Sequence, residues 1–394
     1  MDADRDAKYG KVQTIENTKE RLGMVETVQE KLIPSARPYL DKADKQAMQR
    51  VLASGWIADG NEITSFESEF AAFVGCKGSV AVSSGFAALH LSLVALNIIP
   101  GDEVIIPCVS TCPAIRNAVL AVGATPVFAD TNELDFNLSV ESVSNKIRRN
   151  TRAIIAPHHT GIPSDVHAMN SLGVPVIEDC AQSLGASLDD CPLGSIGFAS
   201  VFSFYATKMI TSVDGGAVTS HSADFLERVK DLRYYRAKAD GSLRYNYKLQ
   251  NLHAALGRTQ LVKLPYFVER RRRVAGRYLQ LFESLGYPPN LSLHHQVRGA
   301  VYYRFGLRIP TALRDKWIGE LRNRRIPFSI EVEFLTDKNP VEYPNACRLS
   351  EEILTFPTYP ALTESELEQL LHDIGSAVAP FTGERVHENC HPST

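Results

Sequence analysis

The chain has 394 residues, 44% of them apolar and 22% charged, with a formal net charge of −3. That length is enough for a large and a small structural domain with ample core. The near-neutral balance offers no basic field for nucleic acid, and no apolar stretch approaches the roughly 20 residues that a membrane span needs. The seven cysteines are scattered and odd in number, and residues 1–30 are polar with no apolar leader core. Both features predict a cytoplasmic protein with free thiols.

Residues 1–35 read as a polar extension whose end is bracketed by Pro34 and Pro38. The apolar spacing predicts helices over 40–52 and 63–74, with a loop at 55–60 that carries an exposed Trp56. From Val80 the pattern becomes strand–helix–strand. Strands are expected at 79–83, 103–107, 126–128, 153–157, 175–178 and 200–204, and helices at 85–96, 114–122, 140–146 and 165–172. Strands alternating with helices imply an α/β fold with a mainly parallel sheet covered on both faces. Residues 247–283 read as a long helix that Pro265 is expected to kink or break. Beyond Gly286 a strand is expected at 301–309, a helix at 312–322, a strand at 327–332, and helical or turn-like segments at 350–356 and 363–377. The chain then divides into a large domain at 36–264, a smaller C-terminal α+β domain at 265–380 and a loose tail at 381–394.

Sites in such folds lie at the carboxyl ends of strands. Three chemically suggestive segments end there. Lys208 is the only lysine between Lys146 and Lys230, and it closes the run Ser203-Phe204-Tyr205-Ala206-Thr207-Lys208 ahead of the pair Gly215-Gly216. Val174-Pro175-Val176-Ile177-Glu178-Asp179 is an apolar run that ends in two acids, and Val80-Ala81-Val82-Ser83-Ser84-Gly85 opens a helix. A lysine amine, a buried carboxylate and a small-residue turn at a helix start are what pyridoxal phosphate (PLP) requires: a Schiff base, a partner for the ring nitrogen and a seat for the phosphate. Strand side chains alternate, so Glu178 and Asp179 should face opposite sides. On their own, Lys208 is equally a surface lysine, Asp179 or Ser84 a helix cap, and Gln182 a first-turn polar residue.

In this order the segments resemble the DegT/DnrJ/StrS sugar aminotransferases, within the fold type I PLP enzymes. The resemblance runs from about residue 38 to 371. It also takes in Pro100-Gly101-Asp102-Glu103-Val104-Ile105, Gly123-Ala124-Thr125-Pro126-Val127-Phe128, Glu178-Asp179-Cys180-Ala181-Gln182-Ser183 and Asn246-Tyr247-Lys248-Leu249. It implies a large domain with a mainly parallel sheet and a smaller C-terminal α+β domain. Lys208 would be the catalytic Schiff-base amine, and Asp179 the partner of the ring nitrogen. Gln182 would stand near the ring's phenolic oxygen. Ser84, Gly85, Phe86 and Ser203 would surround the phosphate, and Asn246 would reach it from a second subunit of a homodimer. Trp56, His158 and Tyr205 are candidate substrate contacts. The implied substrates are an amino-acid donor, glutamate, and a keto group on a nucleotide-linked sugar. A sugar dehydratase, a keto-cyclitol aminotransferase and a non-catalytic regulatory homologue share the fold. The resembling dehydratases carry histidine at the lysine position, so Lys208 argues for transamination.

Two positions depart from the family pattern. Phe86 stands where a threonine is usual, and Cys112, in Ser110-Thr111-Cys112-Pro113, where an aromatic ring would cover the cofactor. Other groupings read as incidental. The arginines at 270–273 face several directions of a helix and suggest a solvated face. Cys108, Cys112, His387, Cys390 and His391 make no complete metal spacing. Gly75 and Gly78 do not form a dinucleotide fingerprint.

Overall fold

A computed structural model describes residues 32–381, except 237–239, 296 and 331. The expected extension up to residue 31 and the expected tail from residue 382 lie outside the described residues, as do His387, Cys390 and His391.

Among the described residues the first two helices are α1 (Lys42–Ser54) and α2 (Asn61–Val74). Asp41 caps α1, accepting from the Ala43 and Asp44 N–H groups while the Asp44 carboxylate returns to the Asp41 N–H. Then follow β1 (Gly78–Val82), α3 (Gly85–Ala95), β2 (Glu103–Pro107), β3 (Val109–Ser110), α4 (Ala114–Ala121), β4 (Thr125–Ala129), α5 (Val140–Lys146), β5 (Thr151–Pro157), α6 (Val166–Asn170) and β6 (Val176–Asp179). A short hairpin of β7 (Ser187–Leu188) and β8 (Cys191–Pro192) leads to β9 (Ala199–Ser203), β10 (Gly216–Ser220) and α7 (Ala223–Leu232). Seven strands form the main sheet in the order β1-β10-β9-β6-β5-β2-β4. Six run in one direction, and β10 alone runs against its neighbours. The expectation of a mainly parallel sheet holds. The sequence pattern missed β10, which inserts between β1 and β9.

Alternation along the strands makes three layers. Val80, Val82, Val104, Ile106, Ile155 and Val201 meet α3, α4 and α7 on one face. On the other, Ala81 and Phe202 meet α2 and the long helix α8 (Asn251–Ser284), while Ile105 and Ile154 meet α5 and α6. The first-named layer includes α3, whose residues 87–93 are all buried.

Of the kink or break expected at Pro265, the break does not occur: α8 continues through it. Its missing N–H costs a helical bond. Leu261 and Leu264 before it, and Phe267 and Val268 after it, are all buried in one core and hold both halves in place. In the C-terminal part, β11 (Arg304–Arg308), α9 (Thr311–Asn323) and α11 (Glu364–Val378) match expectation in type. Two segments do not. The described residues of 327–332 contain no strand; Ser329 makes one bridge to Thr355, and the pairing shifts to β12 (Glu333–Phe334) against β3. Residues 350–356 split between the end of α10 (Pro344–Glu352) and β13 (Ile353–Pro357), which pairs with β11. A short apolar run cannot be assigned to helix or strand by period alone. No helix among the described residues is long and apolar enough to cross a membrane.

One buried group ties the sheet's functional edge together. The Glu178 carboxylate, at the end of β6, is fully buried. It accepts from the N–H groups of Gly194 (3.0 Å), Ile196 (2.9 Å) and Gly197 (2.7 Å), from Ser200 Oγ (3.0 Å) and from His158 Nε2 (3.2 Å). Burial alone would raise this carboxyl. His158 and the backbone donors overcome it and hold the group below its ordinary value. Glu178→Ala is expected to lower the unfolding free energy by about 3–5 kcal/mol, the range for breaking a buried pair from one side. Equilibrium denaturation measures it. The folded group titrates lower than the unfolded one, so its stabilisation is complete above the unfolded value near 4.5. It is lost as pH falls through the depressed folded value. The gap between wild type and Glu178→Ala should therefore narrow in acid, and a constant gap from about pH 7 to about pH 3 would contradict the assignment.

Candidate active site

Parallel strands present their carboxyl ends on one edge. The register aligns Pro157 with Asp179, Asp179 with Val201, Ser203 with Gly216 and Gly216 with Val82. Ser83-Ser84, His158, Asp179 and Ser203 therefore gather along one side of the sheet although they lie far apart in sequence.

At one end of this row α3 begins. Ser84 is its N-cap and accepts from the Ala87 N–H at 3.1 Å. Gly85 and Phe86, ahead of Ala87 in the first turn, keep N–H groups that no helical carbonyl can satisfy. Glycine is required at two contacts here. A Cβ on Gly85 would stand 2.9 Å from Ser203 Cβ, and one on Gly216 would stand 2.5 Å from the Ser84 carbonyl oxygen. The helix start thus lies directly against Ser203. Among the described residues the Ser203 hydroxyl makes no hydrogen bond.

Asp179 is half-buried and faces away from the Glu178 network. One carboxylate oxygen accepts from the Ala181 N–H at 3.0 Å, and the other makes no hydrogen bond among the described residues. Burial pushes the carboxyl up from its ordinary value, opposed by that N–H and by the nearby Lys208. Lys208 sits on the turn after β9, its N–H bonded to the Tyr205 carbonyl at 2.9 Å. The buried side chains of Met209 and Ile210 anchor the turn. The Lys208 ammonium forms no ion pair among the described residues. It lies over the Tyr303 ring, 5.4 Å from the centroid. Gln182 is buried and bridges two loops, accepting from the Thr160 N–H (2.8 Å) and donating to Thr111 Oγ1 (2.9 Å).

The side chains of the other expected residues have these surroundings. Both ring nitrogens of His158 are occupied, Nε2 by Glu178 and Nδ1 by the Ser164 N–H at 2.9 Å, so no polar edge remains for a substrate. Its role is to seat Glu178. Phe86 is half-buried and stacks on His90 at 6.1 Å and 17°. Cys112 and Tyr205 are exposed. Asn246 is exposed on the strand-like segment whose neighbour Tyr247 takes the Ser83 N–H. Trp56, 70% exposed, lines an open cavity of about 500 Å³ with Arg50, Asp59, Asn61, Glu62 and Asn251, distinct from the small pocket that Lys208 lines. Sequence reasoning gave no role to Glu178, Thr111, Thr160 or Tyr303. Glu178 carried a signal, an acid deep in an apolar run. Tyr303 carried none, because only the fold brings it to Lys208.

PLP combines a phosphate, a basic ring nitrogen and an aldehyde. The residues fit each part: open helix N–H groups beside a free hydroxyl, a half-buried carboxylate with an unengaged oxygen, and a lysine without a carboxylate partner. Comparison with known proteins agrees. A profile of the DegT/DnrJ/EryC1/StrS aminotransferase family matches residues 38–375. The spore coat polysaccharide biosynthesis protein SpsC of Bacillus subtilis is 30% identical over 379 residues, covering 88% of this chain and 97% of that one. The aminotransferase TlmJ of Streptoalloteichus hindustanus superimposes with a TM-score of 0.81 at 28% identity, covering 89% of this chain and all of that one (100%). A sugar aminotransferase of Streptococcus pneumoniae in its PLP form shares the fold, with a TM-score of 0.81 at 23% identity, over 89% of this chain and 99% of that one.

The geometry separates two neighbouring acids. Asp179→Ala removes one hydrogen bond within the chain, so it should lower stability by only about 1 kcal/mol while reducing turnover severely. Glu178→Ala should act in the opposite proportion, through stability. Thermal melts and turnover at matched folded fraction decide it; equal turnover per folded molecule in the two variants would reverse the assignment.

Proposed function

This chain belongs to the DegT/DnrJ/EryC1/StrS aminotransferase family and is a PLP-dependent aminotransferase; from that premise we propose that it moves an amino group, taken from glutamate, onto a keto group of a nucleotide-linked sugar. The observation that carries the reading is Lys208, with no carboxylate partner among the described residues, on the same sheet edge as Asp179 and the start of α3.

In this reading Lys208 supplies the amine that attaches the cofactor, and its Nζ takes and returns the proton of the substrate α-carbon. Asp179 holds a negative charge against the ring nitrogen. The Gly85 and Phe86 N–H groups and the Ser203 hydroxyl receive the phosphate, with Ser84 setting the helix start. Gln182 fixes the wall between Thr111 and Thr160. PLP, when bound, contributes the electron sink that lets the α-hydrogen leave as a proton. Trp56 and Tyr205 offer exposed rings large enough for a sugar or base to pack on. The free cysteines among the described residues fit a cytoplasmic setting.

The active unit in this reading is a symmetric homodimer with composite sites. Asn246 makes no side-chain hydrogen bond among the described residues of its own chain, as suits a group that serves a partner.

Two experiments test these points. The first is glutamate-dependent amination by the purified protein against a panel of nucleotide-linked keto sugars, free keto sugars and keto cyclitols. Turnover of the nucleotide-linked class is expected. Turnover confined to cyclitols would replace the acceptor, dehydration without amination would replace the reaction, and no turnover with bound PLP would favour a regulatory protein. The second co-expresses Lys208→Ala, which lacks the reactive amine, with Asn246→Ala, expected to be impaired at least roughly tenfold by loss of a charge-assisted hydrogen bond. The hybrid dimer gathers both lesions in one site and should regain activity at the other. A hybrid no better than its parents would refute the shared site.

A further inference from the structure

Tyr303 belongs to the segment leading into β11, far along the chain from the sheet edge, yet its ring meets Lys208. The Lys208 Nζ lies 5.4 Å from the ring centroid, and the Arg271 guanidinium carbon lies 5.7 Å from the same centroid. The backbone of Tyr303 is pinned on both sides. Its N–H donates to the Thr160 carbonyl at 3.1 Å. Its carbonyl accepts from Arg271 Nη1 at 2.9 Å and from Thr358 Oγ1 at 3.0 Å. Arg271 is 2% exposed, and among the described residues it has no carboxylate partner. Its polar partners there are the Tyr302 and Tyr303 carbonyls and Thr358 Oγ1. A buried guanidinium spent on neutral acceptors is costly unless it secures something. What it secures is the position of Tyr303.

The other anchor runs into the pocket. Thr160, whose carbonyl holds Tyr303, gives its own N–H to Gln182, and Gln182 reaches Thr111. His294 Nε2 also donates to the Thr160 carbonyl, at 3.1 Å, while its ring stacks on Tyr302. Thr160 adopts φ +53°, a conformation a β-branched residue holds only when its surroundings enforce it. Tyr303 is therefore registered to the sheet edge through a strained turn, not draped over it. Its phenol makes no hydrogen bond among the described residues, which leaves the ring face as its working surface.

We infer that Tyr303 is a positioning residue for Lys208: its ring face is the seat that holds the lysine ammonium beside the reacting carbon whenever the amine is not attached to the cofactor. The inference rests on the reading that Lys208 is the reactive amine. A cation over an aromatic face is attracted by the ring, and more so where water is excluded. When Lys208 Nζ takes the proton from the substrate α-carbon it becomes the cation this seat accommodates. Four rotatable bonds would otherwise let the amine wander. The ring narrows that range and favours the protonated arm between its two proton transfers.

The test uses the full chain with Tyr303→Phe, which keeps the face, and Tyr303→Leu, which removes it. Borohydride trapping of added PLP on the apoprotein, with the attachment mapped by mass spectrometry, reports how fast Lys208 captures the cofactor. The single-turnover reaction with glutamate reports proton transfer. Tyr303→Phe should stay within about twofold of wild type, and Tyr303→Leu should slow both steps by roughly threefold to thirtyfold. Non-covalent PLP affinity, measured in the Lys208→Ala background, should not change when Tyr303→Leu is added, because no lysine remains to be positioned. Equal rates for the Phe and Leu variants would overturn the inference. So would a loss of affinity in the Lys208→Ala background, which would make Tyr303 part of the pocket wall alone. Attachment of PLP to a lysine other than Lys208 in the wild-type protein would instead overturn the underlying reading, whatever the Tyr303 variants do.

Discussion

The Glu178 carboxylate is the constraint from which the site follows. An ionised carboxylate removed from water is tolerable only when nearly all of its lone pairs are engaged. Here five donors converge on it from the residue after β5, from the loop at 194–197 and from β9. That convergence joins three neighbouring parallel strands, tying the carboxyl ends of β5 and β6 to the amino end of β9. It also fixes which way β6 faces. With Glu178 committed to the interior network, the next side chain must point the other way, and Asp179 is delivered to the open edge. The two acids have opposite electrostatic fates for the same reason. Glu178, crowded with donors, is held below its ordinary range; Asp179, with one backbone donor, is pushed up by burial. An unsaturated carboxylate beside a lysine is a group waiting for a cationic or protonated partner, whereas a saturated one is structure.

Much of this was legible in the sequence, and the parts that were not have identifiable causes. Ser84, Asp179 and Ser203 could be placed because each ends a short apolar run, and parallel strands bring such ends together. Glu178 was visible as an acid in an apolar run but was judged only as the neighbour of Asp179; its five partners are scattered between residues 158 and 200, and no local pattern encodes them. Strand β10, Gly-Ala-Val-Thr-Ser, is too short and too weakly apolar to signal itself, and it is defined by the strands on either side. Pro265 signalled a kink or a break, and the packing on both sides of it keeps the helix from breaking. The engagement of both His158 ring nitrogens within the chain was not legible either, because a histidine's chemistry depends on what its nitrogens already hold.

The two departures from the family pattern become intelligible when the packing around them is considered together. Phe86 occupies a position where a hydroxyl would face the phosphate. Its ring instead stacks on His90, which meets Tyr245 and Tyr247 edge-on, and those two rings stack on each other at 5.2 Å and 4°. The carbonyl of Tyr247 takes the Ser83 N–H at 2.7 Å. An aromatic cluster thus braces the turn that opens α3 from behind. Packing secures the orientation of the helix N–H groups, and in the proposed reading the Ser203 hydroxyl, held against Gly85, joins them as the phosphate seat.

Cys112 poses the complementary problem. It is exposed and brings no ring to the pocket, and Pro113 beside it has no donor. The aromatic surface at the lysine comes from Tyr303, carried in from beyond α8 and clamped between Arg271 and the strained Thr160 turn. A ring on the 110–113 loop would be attached to the sheet edge directly. A ring at 303 is attached to it through Thr160, Gln182 and Thr111, so its position depends on how the segment before β11 docks. In the proposed reading the docking of this later segment becomes part of the site's geometry, and the polar groups serve it: Gln182, His294 and the Tyr303 N–H all engage Thr160, while Arg271 holds the Tyr303 carbonyl.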